Sequence, residues 1–186
     1  IIVNEQIPYR VIGRGTNILF TDKGYRGLTI KNISNRIALQ NNEIIADSGA
    51  LLGQIILFSL KNDLTGLEPL YGLPGSIGGA VWGNAGIPGT EIGTFIKRLR
   101  VFDIKHGVQE LLRDNILFEY RHTSLQTNNH IILDVSLLLQ KAEKKDSTQH
   151  LQQISNIRRK KQPSGFCAGS FFKNPSKKTT AGYLID

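Results

Sequence analysis

The chain has 186 residues, 40% of them hydrophobic and 20% charged, which excludes a wholly disordered polymer and suffices for one large domain or two small ones. Its net charge of +8 suits an anionic partner or plain solubility, but the basic residues are scattered apart from Arg158–Lys161 and Lys177-Lys178, without the interleaved aromatics of a nucleic-acid surface. The single cysteine, Cys167, excludes an internal disulfide and agrees with a reducing compartment, and the longest apolar stretches, around 50–60 and 131–139, are too short to span a bilayer.

In chain order, β-rich runs predict strands over Tyr9–Ile12, Leu28–Ile30, Ile37–Leu39 and Ile44–Asp47. The turn Asp47-Ser48-Gly49 then leads into Leu52, Ile55, Ile56 and Leu60, whose spacing predicts a helix. Strands follow over Leu99–Ile104 and Val108–Leu112, joined by a hairpin turn at Lys105-His106-Gly107, and over Ile131–Leu139. A second helix is expected over Thr148–Lys161, stopped by Pro163, with Leu151, Ile154 and Ile157 on one stripe. Strands and helices do not alternate regularly, so the expected class is α+β, and the polar run Lys141–Thr148 is the best domain boundary. With no methionine, an isoleucine first and a stop within what reads as the opening turns of a helix at Ala181–Asp186, the chain is expected to be a fragment missing sequence at both ends.

Seven of the 19 glycines lie between Gly72 and Gly89, in a segment stiffened by Pro74 and Pro88 and almost free of charge. Such a surface suits a flat or phosphorylated ligand held by main-chain amides; tight turns between strands are the equal alternative. A second loop, Gly13-Arg14-Gly15-Thr16-Asn17, follows a strand and can form an amide nest for a diphosphate, with the Thr16 hydroxyl and Asn17 amide as further donors. It lacks the third glycine and following helix of a dinucleotide-binding fingerprint. In Phe118-Glu-Tyr-Arg-His-Thr-Ser124, Arg121 is either a fixed cation for a carboxylate or enolate, or a surface arginine in a loop. In Ala168-Gly-Ser-Phe-Phe-Lys-Asn-Pro175, Ser170 is either a proton donor or a hydroxyl satisfying a turn, and no Ser-His-Asp grammar supports a hydrolase. The histidines 106, 122, 130 and 150 show no metal spacing, so no metal is expected.

Together these motifs, in this order, resemble the UDP-N-acetylenolpyruvoylglucosamine reductase (MurB) family of peptidoglycan precursor synthesis. Gly13-Arg-Gly-Thr-Asn17 resembles that family's Gly-x-Gly-Ser-Asn, with threonine for serine. Gly72–Ala80 running on through Asn84-Ala-Gly86 resembles its long flavin loop, Tyr120-Arg-His122 its Tyr-Arg motif, and Lys161-Gln-Pro163 with Gly169–Pro175 the segment holding its proton donor.

The resemblance implies an FAD-binding PCMH-type fold of two α+β subdomains plus the start of a truncated substrate-binding domain. The first FAD subdomain would survive as residues 1–36, the second would span 37–142, and the substrate domain would begin at 143–186. It further implies a cytoplasmic flavoenzyme with FAD as cofactor, NADPH as reductant and a UDP-sugar as substrate, with no nucleic-acid or membrane partner. Gly13, Arg14, Gly15, Thr16, Asn17, Pro74, Gly75, Ser76, Gly78, Gly79, Asn84 and Gly86 would hold FAD. Ser170 would donate the proton, Arg121 would stabilise enolate-like charge, and Tyr120, Lys161, Lys173 and Asn174 would line the substrate. A catalytic glutamate of the family would lie beyond residue 186, so residues 1–186 alone are expected to be inactive or nearly so. The competing readings are another FAD-dependent oxidoreductase of the same fold and a non-catalytic basic module that binds nucleic acid.

Overall fold

The computed structural model describes residues 7–128, 130–141, 151, 153–154, 156, 172–176 and 179–185. Two short strands, β1 (Tyr9–Ile12) and β2 (Leu28–Lys31), form a parallel pair with Tyr9 opposite Leu28. Five more build an antiparallel sheet in the order β3-β4-β12-β8-β9, from β3 (Ile37–Gln40), β4 (Glu43–Asp47), β8 (Ile96–Asp103), β9 (Gly107–Leu112) and β12 (Ile131–Leu138). Two-residue strands flank it: β5 (Leu64–Thr65) with β13 (Gln140–Lys141), β6 (Gly86–Ile87) with β7 (Thr90–Glu91), and β10 (Phe118–Glu119) with β11 (His122–Thr123). This is an α+β architecture, and every strand expected from the sequence is present. Strand β8 begins three residues earlier than its apolar pattern indicated, because Lys97 and Arg98 open it. The hairpin after it forms as expected, with Gly107 at φ 74° and Asp103 Oδ1 accepting the amides of Lys105 and His106.

Helix α1 (Leu52–Lys61) buries Leu52, Ile55, Ile56 and Leu60, and Asn62 closes it by donating from Nδ2 to the Phe58 carbonyl. Helix α2 (Ile77–Trp82) lies inside the glycine-rich segment, where periodicity gave no sign of it. Its buried Ile77, Ala80 and Val81 join α1 on one sheet face over Ile44, Ala46, Leu99, Val101, Val135 and Leu137. On that face Ile44 pairs with Leu137 and Leu99 with Val135. Of the expected helix over 148–161, Leu151, Gln153, Ile154 and Asn156 are described and all are helical. A last helix spans Ala181–Ile185. Among the described residues no helix is long and apolar enough to cross a membrane.

The opposite face of the sheet is polar and knitted by charge. Glu43 meets Lys97 at 2.5 Å and Arg98 at 3.3 Å and accepts a short hydrogen bond from Ser136, while Arg98 also reaches Glu110 at 2.7 Å. Burial raises the Glu43 pKa, but hydrogen bonds from Lys97 and Ser136, with the charges of Lys97 and Arg98, outweigh it and leave the carboxyl below its ordinary value. Two irregularities interrupt the ladder between β12 and β8: the register slips between Ser136 and Leu137, and again between Ile132 and Asp134, leaving Leu133 unpaired.

Leu137 is 0% exposed, so Leu137→Ala should lower stability by roughly 2–5 kcal/mol, read from urea unfolding with an unchanged slope. Glu43, held below its unfolded value, adds stability above that value and loses it as pH falls through the folded one. Glu43→Gln should therefore lower the melting temperature at pH 7 and flatten its decline below about pH 4.5.

Candidate functional site

The unpaired residue in β12 begins the site. The freed carbonyl of Leu133 accepts the Ser48 amide at 2.9 Å, and the Ile132 carbonyl accepts the Ser48 hydroxyl at 2.5 Å. Ser48 Oγ also accepts from Asn32 Nδ2 at 2.7 Å, and its carbonyl accepts the Gly78 amide at 2.8 Å. One buried serine thus joins the segment after β2, the central strand and the start of α2. The approach is close enough to require glycine, because a Cβ on Gly78 would lie 2.7 Å from Ser48 Cβ.

This junction brings the two glycine loops face to face. A Cβ on Gly13 would sit 2.1 Å from Ser76 Oγ, one on Gly75 would sit 2.8 Å from Thr16 Oγ1, and the Thr16 hydroxyl donates to the Pro74 carbonyl at 3.4 Å. The amides of Gly13, Arg14, Gly15, Thr16 and Asn17 bond to no described residue, and neither do those of Gly75, Ser76 and Gly79. Gly15 at φ 74° supplies the left-handed step that turns successive amides to one side. Arg14, Gly15, Thr16, Asn17, Pro74 and Gly79 are exposed. These two sets of N–H groups, unpaired among the described residues and drawn together over some sixty positions, form an anion-binding cradle of main chain. The donor chemistry fits a diphosphate, which is the group by which a flavin dinucleotide can be held without side-chain charge.

The far end of the same segment has the opposite character: its carbonyls are occupied. The Trp82 carbonyl accepts from Thr123 Oγ1 at 3.0 Å and Gln126 Nε2 at 2.7 Å, while the guanidinium of Arg121 donates to the carbonyls of Asn84 (3.2 Å) and Gly86 (2.6 Å). Arg121 has φ 57°, a left-handed conformation costly for a residue with a Cβ, and its guanidinium lies 5.1 Å from the Tyr120 ring centre. It is therefore no loose surface side chain. Asn84 and Gly86 differ from the other residues assigned to the cofactor. Asn84 is 0% exposed with its side-chain amide spent on Glu91, the Glu119 carbonyl and the Gly93 amide, and Gly86 is buried where a Cβ would meet the Thr90 carbonyl at 2.5 Å. Both are therefore built into the fold as well as being candidates for cofactor contact.

Tyr120 carries the third motif: its hydroxyl accepts the Asn174 amide at 3.4 Å, and Asn174 Oδ1 in turn caps Ala181 at 3.0 Å. Lys173 is exposed in the same stretch. Ser170 and Lys161 lie outside the described residues. The motif reading missed Ser48, Asn32, Thr123 and Gln126. Of these, Ser48 had a signal in its Asp-Ser-Gly turn, whereas Asn32 bonds the Ser48 hydroxyl and Thr123 and Gln126 bond the Trp82 carbonyl, partners far away in sequence. Trp82 is 37% exposed.

Residues 1–111 match the FAD binding domain family model. The chain is 36% identical over 184 residues to UDP-N-acetylenolpyruvoylglucosamine reductase of Clostridium novyi and 38% identical over 184 residues to that of Clostridium kluyveri, covering 98% of itself and 60% of each relative. Among solved structures it superposes on the UDP-N-acetylenolpyruvylglucosamine reductase (MurB) of Thermus caldophilus with a TM-score of 0.83 at 30% identity, covering 97% of this chain and 66% of that one. A cholesterol oxidase from Brevibacterium sterolicum shares the fold at a TM-score of 0.52 and 14% identity, over 75% of this chain and 31% of that chain. The chain spans about 60% of the length of the curated relatives it matches. With the family model covering well over half of its residues, the chain belongs to the FAD binding domain family, and its relatives there are UDP-N-acetylenolpyruvoylglucosamine reductases.

Proposed function

We propose that the protein to which this chain belongs is a cytoplasmic, FAD-dependent and NADPH-dependent reductase of the enolpyruvyl group of a UDP-sugar, UDP-N-acetylglucosamine-enolpyruvate, feeding peptidoglycan precursor synthesis. The observation that carries the reading is the convergence of the Gly13–Asn17 and Pro74–Gly79 loops, with their unpaired amides, beside the Tyr120-Arg121 hairpin. We assign residues 1–36 and 37–142 to the two FAD subdomains and 143–186 to the start of the substrate domain.

Bound FAD would supply hydride transfer from NADPH to the enolpyruvyl double bond. The chain's own residues divide the remaining work. Main-chain amides of Gly13, Gly15, Thr16, Gly75, Ser76 and Gly79 take the diphosphate, with Arg14 adding positive charge at the exposed rim. Arg121, fixed in direction by two carbonyls, stabilises negative charge gathering on the substrate's carboxylate side. Ser170 delivers a proton to the carbon next to the one that receives hydride. Tyr120, Lys161, Lys173 and Asn174 line the UDP-sugar, and Asn174 does so with the part of its amide not spent on capping Ala181.

Two measurements test this in the full-length protein. Gly13→Ala should force the loops apart at Ser76 and release flavin, seen as loss of visible absorbance after desalting. Gly53→Ala, in α1 with open space around it, should keep flavin and gain about 0.5–1 kcal/mol of stability. Ser170→Ala should leave flavin reduction by NADPH intact and slow substrate reduction by about 1,000-fold in stopped flow. If both half-reactions run at the parental rate, the proton-donor assignment is wrong.

A further inference from the structure

Asn84 meets the Arg121 hairpin at two points, while the Gly86 carbonyl takes the second guanidinium hydrogen bond at 2.6 Å. The Asn84 carbonyl takes one guanidinium hydrogen bond at 3.2 Å, and the Asn84 side chain donates to the Glu119 carbonyl at 2.9 Å, two residues before Arg121 in the same hairpin. Asn84 is itself fully buried and left-handed at φ 42°, and its remaining amide hydrogen and oxygen are taken by Glu91 Oε2 at 2.7 Å and the Gly93 amide at 3.2 Å. Both amide hydrogens meet acceptors and the oxygen meets one donor, three bonds in all. A buried amide with both donors paired fixes orientation far better than an exposed one, since every alternative rotamer strands a polar group.

We propose that Asn84 is a positioning residue for Arg121, with Glu91 holding Asn84 in place, and that together they set the aim of the guanidinium toward the substrate's carboxylate. The side chains of the two bond to each other within the protein. The left-handed backbone of Arg121 is disfavoured on its own, so it persists because the hairpin carbonyl before it and the guanidinium beyond it are both tied to Asn84. Glu91 contributes as an acceptor. An uncharged amide at that position keeps the bond, and a methyl group does not.

This rests on the reading of Arg121 given above, and the experiment separates the two. In the full-length enzyme, Asn84→Ala, Glu91→Ala, Glu91→Gln and Arg121→Ala are made singly, and Asn84→Ala is combined with Arg121→Ala. Three readouts are taken: flavin reduction by NADPH, kcat and KM for the UDP-sugar, and slow exchange of the Arg121 side-chain Nη protons by NMR. Asn84→Ala should lower kcat for the UDP-sugar about 100-fold with the NADPH step unchanged. It should add less than about twofold in the Arg121→Ala background, because coupled residues are not additive. Glu91→Ala should follow the same pattern more weakly, Glu91→Gln should restore parental rates, and the Nη protons should lose protection in Asn84→Ala and Glu91→Ala. Multiplicative losses in the double variant, a parallel fall of the NADPH step, or unchanged Nη protons would each overturn the proposal. Should Asn84→Ala fail to fold, the Glu91 pair decides by the same criteria. A silent Arg121→Ala would remove the assigned role of Arg121, while the Nη protons would still report whether Asn84 holds it.

Discussion

The buried hydroxyl of Ser48 is the point on which the rest of the site depends. It donates to the Ile132 carbonyl beside the slipped register of β12, accepts from the Asn32 amide, and sits within a main-chain unit whose carbonyl begins α2. Without that oxygen, the Ile132 carbonyl and the Asn32 amide would lie partnerless beside each other, at a cost of about 1–3 kcal/mol for each buried group. The geometric loss would be larger than the energetic one. Gly13–Asn17 belongs to the parallel pair and Pro74–Gly79 to the sheet domain, so the distance between the two loops is set by how the chain after β2 is anchored at Ser48.

The glycine-rich segment has two faces of opposite polarity because its two halves spend their backbone groups differently. In the first half, the N–H groups of Gly75, Ser76 and Gly79 are left unpaired among the described residues, an arrangement that favours anions. In the second half, the carbonyls of Trp82, Asn84 and Gly86 are consumed by Thr123, Gln126 and Arg121, so a cation is embedded beside a neutralised backbone. Glycine serves both halves, though for different reasons: at Gly72 and Gly75 it permits positive φ, at Gly78 and Gly86 it permits contact.

Much of this was legible in the residues. Period-two alternation placed all the long strands, because one sheet face is apolar and the other solvated, and 3.6-residue spacing placed α1 for the same reason. The glycine loops could be recognised as main-chain binding surfaces, since a density of glycine that destabilises ordinary elements needs such a purpose. What stayed hidden has a common cause. Helix α2 is short and built on Ile-Gly-Gly-Ala, with too few side chains to show a period, and it is stabilised by Ser48 rather than by propensity. Strand β8 opens on Lys97 and Arg98, whose charges look like a loop until Glu43 and Glu110 are found across the sheet. The resemblance marks Asn84 as a cofactor residue; its side-chain partners in the fold, Glu91, Gly93 and Glu119, emerge once two hairpins pack against each other.

Strand β12 fills the middle of the sheet yet is the last of the five in sequence. As the polypeptide emerges from the ribosome, β3-β4 and β8-β9 can each zip as local hairpins, but the two halves have nothing to join them until residues near 138 arrive. The carbonyls that seat Ser48 arrive with that same strand. Assembly of the cradle is therefore deferred to the end of translation of this region, and until then two open sheet edges must be kept from pairing with neighbouring nascent chains.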